Sequence, residues 1–152
     1  MIAIRPAGPD DREFVLSTVM RLGAFGPPPW RTEQEIGEAD ARVLRAFFEK
    51  PAEGATLLVA ESEGAALGFI YLESLRDYFV GEEHGHVGIL AVREEAEGLG
   101  AGGALMRAAE AWGRERGYRR LTLNVFDGNR RARAIYDHFG YRPETVRYVK
   151  FL

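Results

Sequence analysis

The sequence predicts an α/β (α+β) domain: a mixed, mostly antiparallel central sheet of six to seven strands flanked by about four helices. Three observations predict it. Two β-rich runs, Thr56 to Glu61 and Ala66 to Leu75, are joined by the short turn Ser62-Glu63-Gly64, a hairpin signature. An apolar run ending at Val92 is followed by a charged turn and by glycines that open a helix. The elements follow the order β-α-α-β-β-β-α-β-α-β, with hairpins early and one strand–helix–strand unit late. At 152 residues the chain can bury a core and is expected to form a single domain, 1–152.

The elements are justified in order. Ile2 to Arg5 is a short strand ended by Pro6, and Pro9-Asp10-Asp11 reads as a helix start with an aspartate available as cap. Phe14, Val15, Val19 and Leu22 give that helix its apolar stripe. Gly23 to Trp30 contains three consecutive prolines and reads either as a semi-rigid loop exposing Phe25 and Trp30 or, the favoured reading, as a connector whose Trp30 packs on the core. Thr32-x-x-Glu35 is a capping box, and Ile36, Ala39, Val43 and Phe47 follow at helical spacing until Lys50-Pro51. After the hairpin, Arg76 to Gly85 reads as an exposed loop and His86 to Val92 as the strand feeding the glycines. Leu105, Ala108, Ala109 and Trp112 mark the buried face of the next helix, which ends at Gly117. Leu121 to Val125 is a strand. Asn129 caps a helix over Arg130 to Phe139, with Gly140 beyond its end, and Thr145 to Phe151 closes the chain as a strand.

Composition narrows the chemistry. There is no cysteine, so disulfides, thiolate metal sites and a cysteine nucleophile are excluded. Serine occurs only at Ser17, Ser62 and Ser74, with no Gly-x-Ser-x-Gly elbow. The net charge of −3 argues against a nucleic-acid partner. No signal peptide or apolar run of membrane length is evident, so a cytoplasmic protein without membrane association is expected.

The glycine stretch points to a phosphate-bearing cofactor. The first turn of a helix has unpaired N–H groups and a partial positive charge, and glycines let a phosphate approach them. No Gly-Lys-Ser/Thr follows, which removes a Walker-type loop, and the preceding strand lies late for a dinucleotide fold.

Two segments resemble the GCN5-related N-acetyltransferase (GNAT) superfamily. Leu90-Ala91-Val92-Arg93, followed by Glu97-Gly98-Leu99-Gly100-Ala101-Gly102, resembles its acetyl-CoA signature, Arg/Gln-x-x-Gly-x-Gly/Ala. Asn129 to Tyr141 resembles its C-terminal signature, an Asn-capped helix that carries a Tyr and ends in Gly-Phe/Tyr. The resemblance implies acetyl-CoA as co-substrate. Its pantetheine would lie along Leu90, Ala91 and Val92, and its pyrophosphate over Gly98, Leu99, Gly100, Ala101, Gly102, Gly103 and Ala104. It also implies direct attack by a small-molecule amine or peptide acceptor, and often a homodimer. Glu97 departs from the signature. A carboxylate about 4 Å from a phosphate is repelled by roughly 1–4 kcal/mol, so Glu97 must face solvent or be paired, or else cofactor binding is weakened, with Arg93 able to offset part of the charge.

The resemblance makes Tyr136 the general acid toward the departing thiolate. Its spacing with Ala132, Ile135 and Phe139 also suits a packing stripe. Asn129 and Arg131 would contact the cofactor, with Arg130 and Arg133 as further phosphate candidates or a solvated face. The strand before the signature holds Val87, Gly88 and Ile89 where many members carry a glutamate. The base is therefore sought among His86, His84, Glu82 and Glu83, with Glu73 or Tyr71 on the adjacent strand, or a solvent water relay, as alternatives. His84 and His86 have metal-ligand spacing, but no third ligand is evident and no metal is expected. Phe25, Trp30, Tyr78, Phe79, Asp77, Glu82 and Glu83 suggest a cationic, partly apolar acceptor. The alternative to an enzyme is a non-catalytic acyl-CoA-binding or sensor domain.

Overall fold

The computed structural model describes residues 1–152. Five strands form one sheet in the order β1 (Ala3–Pro6), β2 (Thr56–Ser62), β3 (Ala65–Arg76), β4 (Glu83–Val92) and β5 (Leu121–Leu123). Neighbours are antiparallel except β4 and β5, which run parallel. The helices are α1 (Arg12–Val19), α2 (Glu33–Glu49), α3 (Ala101–Glu115) and α4 (Arg130–His138). The mixed sheet and the four helices agree with the sequence reading.

Local chemistry sets most boundaries. The β2–β3 turn places Glu63 and Gly64 at φ of 51° and 79°, the doubly positive geometry that matches strand twist. The capping box of α2 forms in full: Glu35 N–H donates to Thr32 Oγ1 at 3.0 Å, and Thr32 N–H donates to Glu35 Oε1 at 2.9 Å. Asp11 acts differently from a simple helix cap. Its carboxylate accepts from Gly8 N–H at 2.7 Å and takes both guanidinium nitrogens of Arg5, at 2.8 and 2.9 Å. Arg5 also donates to Glu61, so β1, β2 and the start of α1 share one charged knot.

The sheet buries both faces. Val15, Val19, Ala41 and Leu44 from α1 and α2 pack on Val59, Phe69, Ile89 and Ala91. On the other face, Leu105, Met106, Ala109 and Trp112 of α3 pack on Ile70, Leu72 and Val87. No helix is long and apolar enough to cross a membrane.

Three expectations change. The sheet has five strands rather than six to seven, because the run Thr145 to Phe151 is not a strand. From Arg142 onward no backbone group bonds to another, and Val146, Tyr148 and Phe151 are exposed. β5 spans only Leu121–Leu123, too short an edge to template a longer neighbour. Second, the exposed loop expected over Arg76 to Gly85 shrinks to 77–82. Asp77 Oδ2 accepts from Phe79 N–H at 3.0 Å and Val80 N–H at 2.9 Å, which closes a tight turn and lets β4 begin at Glu83. Third, Trp30 is half-exposed and meets Phe151 edge-on at 5.9 Å instead of packing on the core.

Gly23 holds the end of the first helical layer against α2. A Cβ there would stand 2.2 Å from the carbonyl oxygen of Glu33, a backbone atom that cannot swing away. Gly23→Ala is expected to cost about 3 kcal/mol through overpacking, read as a fall in thermal midpoint. An unchanged midpoint would mean that this packing is looser than described.

Candidate active site

The site begins at a defect in β4. Leu72 pairs with Val87 and Tyr71 with Ile89, which leaves Gly88 unpaired as a bulge. Pairing of β4 with β5 ends at Val87 opposite Leu123, so the two parallel strands part at the bulge. Arg93 N–H donates to Leu67 O, so the backbone of Arg93, and by alternation of Ala91 and Ile89, faces β3. The N–H and C=O groups of Leu90 and Val92 therefore face the opened side. That is a strand edge about two residues long with no strand paired to it, where Val92 O accepts from Arg21 Nη1.

Beyond Val92 the chain makes a short 3₁₀ turn, Glu94–Ala96, and enters α3. Gly98 and Gly100 adopt φ of 79° and 92°, which favours glycine at both. The backbone N–H groups of Gly100, Ala101, Gly102 and Gly103 make no hydrogen bond within the protein. Leu99 N–H is engaged by Ala96 O at 3.3 Å and Ala104 N–H by Gly100 O at 3.1 Å, so the available donors are a narrower set than the sequence suggested. Four unused donors on a 15-residue helix fit a diphosphate by number and polarity.

Glu97 is paired. Arg21 Nη2 meets its Oε1 at 2.8 Å and Arg131 Nη1 meets the same oxygen at 3.6 Å. These contacts, the Arg21 hydrogen bond first, hold the Glu97 carboxyl below the usual carboxylate range. Arg93 forms no ion pair with Glu97; its Nε is buried without a partner. Arg21 had no signal in the sequence, because a basic residue at the end of an amphipathic helix normally reads as solvated.

The second signature forms the opposite wall. Asn129 Oδ1 accepts from Ala132 N–H at 3.1 Å, capping α4. Gly26, with φ of 66°, lets the proline-rich connector lie against this turn: a Cβ on it would stand 2.5 Å from Asn129 N. Tyr136 packs beside the α3-side core, 6.1 Å from Tyr141. Its Oη has no hydrogen-bond partner, and burial raises its pKa, so the phenol keeps its proton at neutral pH. Arg133 is committed to Asp127 at 3.0 Å.

The candidate bases separate. Register pairs Glu73 with His86 and His86 with Thr122, so carboxylate, imidazole and hydroxyl lie in a row across β3, β4 and β5 on one face. His86 Nδ1 lies 2.7 Å and His84 Nε2 3.1 Å from Thr122 Oγ1. A hydroxyl has one proton, so it donates to one ring and accepts from the other. His84 is buried, and its Nδ1 has no partner. Burial, then the neighbouring His84, lowers the His86 pKa. Glu73 forms no hydrogen bond, burial raises its pKa, and its Oε2 would lie 3.0 Å from a Cβ placed on Gly88. Tyr71 belongs to the core against Phe47. Glu82 sits at the hairpin end, paired with Arg119 at 3.6 Å and roughly 20 Å of strand from the bulge. Its position does not suit a base. Tyr78 and Phe79 share that remote tip. No group of three potential ligands converges on a metal position.

The profile of the acetyltransferase (GNAT) family matches residues 24–141. The chain belongs to that family. It is 35% identical over 103 residues to the aminoglycoside N(6')-acetyltransferase type 1 of Stenotrophomonas maltophilia, covering 66% of this chain and 67% of that one. It is 33% identical over 168 aligned positions to the mycothiol acetyltransferase of Beutenbergia cavernae, covering 94% of this chain and 54% of the relative. The fold matches that of a GCN5-related N-acetyltransferase from Ralstonia eutropha JMP134, with a TM-score of 0.77, 22% identity and 99% of both chains covered. This GNAT chain is an N-acetyltransferase, and the family uses acetyl-CoA.

The half-buried His86 gives a pH prediction. Its pKa is depressed in the folded chain, so the unfolded chain takes up the proton first as pH falls. Stability from this group is complete above the unfolded value of about 6.5 and declines as pH drops below it. NMR titration should place the His86 midpoint below 6.5, the unperturbed value. A midpoint at or above it would mean a solvated ring.

Proposed function

We propose that residues 1–152 form a single catalytic domain that moves an acetyl group from acetyl-CoA directly to a primary amine, without a covalent acyl-enzyme. The observation that supports it best is the combination of an edge at Leu90 and Val92, to which no strand is paired, with four unused N–H groups at Gly100 to Gly103. One element takes an extended amide chain and the other takes a diphosphate. Acetyl-CoA supplies an acyl thioester already activated toward amines.

The chain supplies position and protons. The backbone of Leu90 and Val92 orients the extended arm, and the start of α3 holds the anionic end. His86 Nε2 accepts the ammonium proton of the acceptor. Its Nδ1 contact with Thr122 leads on to His84, a short relay for that proton. The depressed pKa keeps His86 neutral at pH 7. Tyr136 holds its proton at Oη for the leaving sulfur. This unpartnered phenol favours an enzyme over a sensor. Glu73, unpaired on the same face as His86, suits a cationic acceptor, in keeping with the aminoglycoside named for the Stenotrophomonas relative. We place the reaction in the cytoplasm, where acetyl-CoA is made.

Calorimetry with acetyl-CoA, followed by an amine screen that reads released thiol, tests the proposal. Binding in the micromolar range typical of enzyme cofactors and thiol release with a polycationic amine are expected. No binding at millimolar acetyl-CoA would overturn it. Tyr136→Phe should lower kcat by about 100-fold and leave acetyl-CoA affinity intact; unchanged kcat would make Tyr136 a packing residue. His86→Gln should lower kcat by a similar factor and abolish the fall in rate on the acid side. Retention of that limb would assign the base elsewhere.

A further inference from the structure

Arg21 joins two parts of the cleft that are otherwise unconnected. Its Nη1 donates to Val92 O, on the free edge of β4, and its Nη2 donates to Glu97 Oε1 at 2.8 Å. The guanidinium thus bridges the end of the strand and the start of the glycine loop. Phe25 fixes it further, with its ring centroid 5.7 Å from Cζ. Arg131 reaches Glu97 at 3.6 Å from the first turn of α4. Two cations from opposite walls therefore converge on one carboxylate beside the unused N–H groups of α3.

We propose that Arg21 is a diphosphate-binding residue of this chain, and that Glu97 is an internal anion that holds Arg21 and Arg131 in place until the cofactor's diphosphate replaces it. This rests on the acetyl-CoA reading above. The chemistry of the exchange is matched. A guanidinium that accepts a bidentate arrangement with carboxylate accepts the same with phosphate. The diphosphate carries more negative charge than the carboxylate and draws in addition on the N–H groups at Gly100 to Gly103. When Arg21 turns to the diphosphate, it releases Val92 O. That carbonyl then becomes available to an extended amide chain. Occupation of the anion site and opening of the strand edge are thereby linked through one side chain.

The test compares acetyl-CoA with S-acetyl-pantetheine, which lacks phosphate, by calorimetry on three proteins. The unsubstituted chain should bind acetyl-CoA; if it does not, the acetyl-CoA reading fails and this inference with it. Given that binding, Arg21→Met should weaken acetyl-CoA about tenfold, the usual scale for one charge-assisted hydrogen bond. The same variant should bind S-acetyl-pantetheine equally well or better, because Val92 O is freed. Glu97→Gln should tighten acetyl-CoA severalfold and leave S-acetyl-pantetheine unchanged. Unaltered acetyl-CoA affinity in Arg21→Met would overturn the inference, as would equal weakening of both ligands. Weaker acetyl-CoA binding in Glu97→Gln would overturn the role of Glu97 as a displaceable anion. Thermal midpoints within a few degrees of the parent establish that each variant is folded.

Discussion

One unpaired residue, Gly88, sets the geometry on which the site depends. A strand alternates its side chains with period two, so an added residue shifts that alternation for everything after it. Before the bulge, His84 and His86 share the α1–α2 face, and Val87 faces α3. After it, Ile89 and Ala91 occupy the α1–α2 face, and Leu90 and Val92 pack toward α3. A continuous strand could not place two histidines and then two core residues at 84, 86, 89 and 91 on one side. The bulge also strengthens local twist, which separates β4 from β5 and leaves an edge unpaired inside the fold. A Cβ here would press on Glu73 Oε2 at 3.0 Å and Tyr71 Cδ2 at 3.1 Å, so those side chains would have to give by a few tenths of an ångström.

The site follows from that separation because it places different chemistries at different depths. Where β4 and β5 still pair, Thr122 connects two imidazoles in a desolvated row. Where they have parted, the backbone polar groups of Leu90 and Val92 face the opening, with Arg21 on Val92 O. Past the end of the strand, helix donors and arginines dominate. The proton transfer proposed for His86 thus falls at the half-buried end, and the proposed anion site at the exposed end. Desolvation, which disfavours charge on His86, would be costly at the end proposed to hold a diphosphate.

Features that depend on neighbouring residues were legible in the sequence, and those that depend on cross-chain registration were not. The Glu63-Gly64 turn, the Thr32–Glu35 capping box and the Asn129 cap use residue types whose function is fixed within four positions. The glycine loop and the α4 signature belong to the same class. Gly88 gave no warning, because a lone glycine in a strand marks a bulge only once the partner's register is known. The link from His86 through Thr122 to His84 needs β5 beside β4 in one particular register. Thr145 to Phe151 shows the reverse error. Its alternation has strand character, but alternation supplies no partner, and the short edge of β5 supplies none either.

Glu97 shows why a motif position cannot be judged from its residue type alone. Read by itself, a carboxylate beside a diphosphate site is a repulsion. In the folded chain it stands between two guanidinium groups, so the trio of Arg21, Glu97 and Arg131 carries a net positive charge, two cations against one anion. The start of α3 adds partial positive charge on the same side. An arginine at position 97 would leave three mutually repelling cations with no anion to hold them together, whereas the carboxylate fixes two of them in a defined orientation. The departure from the signature therefore redistributes positive charge from the loop to the two walls. It leaves a net positive trio beside the start of α3, and on the reading proposed above affinity depends on Arg21, just past the end of α1 and far in sequence from the glycines.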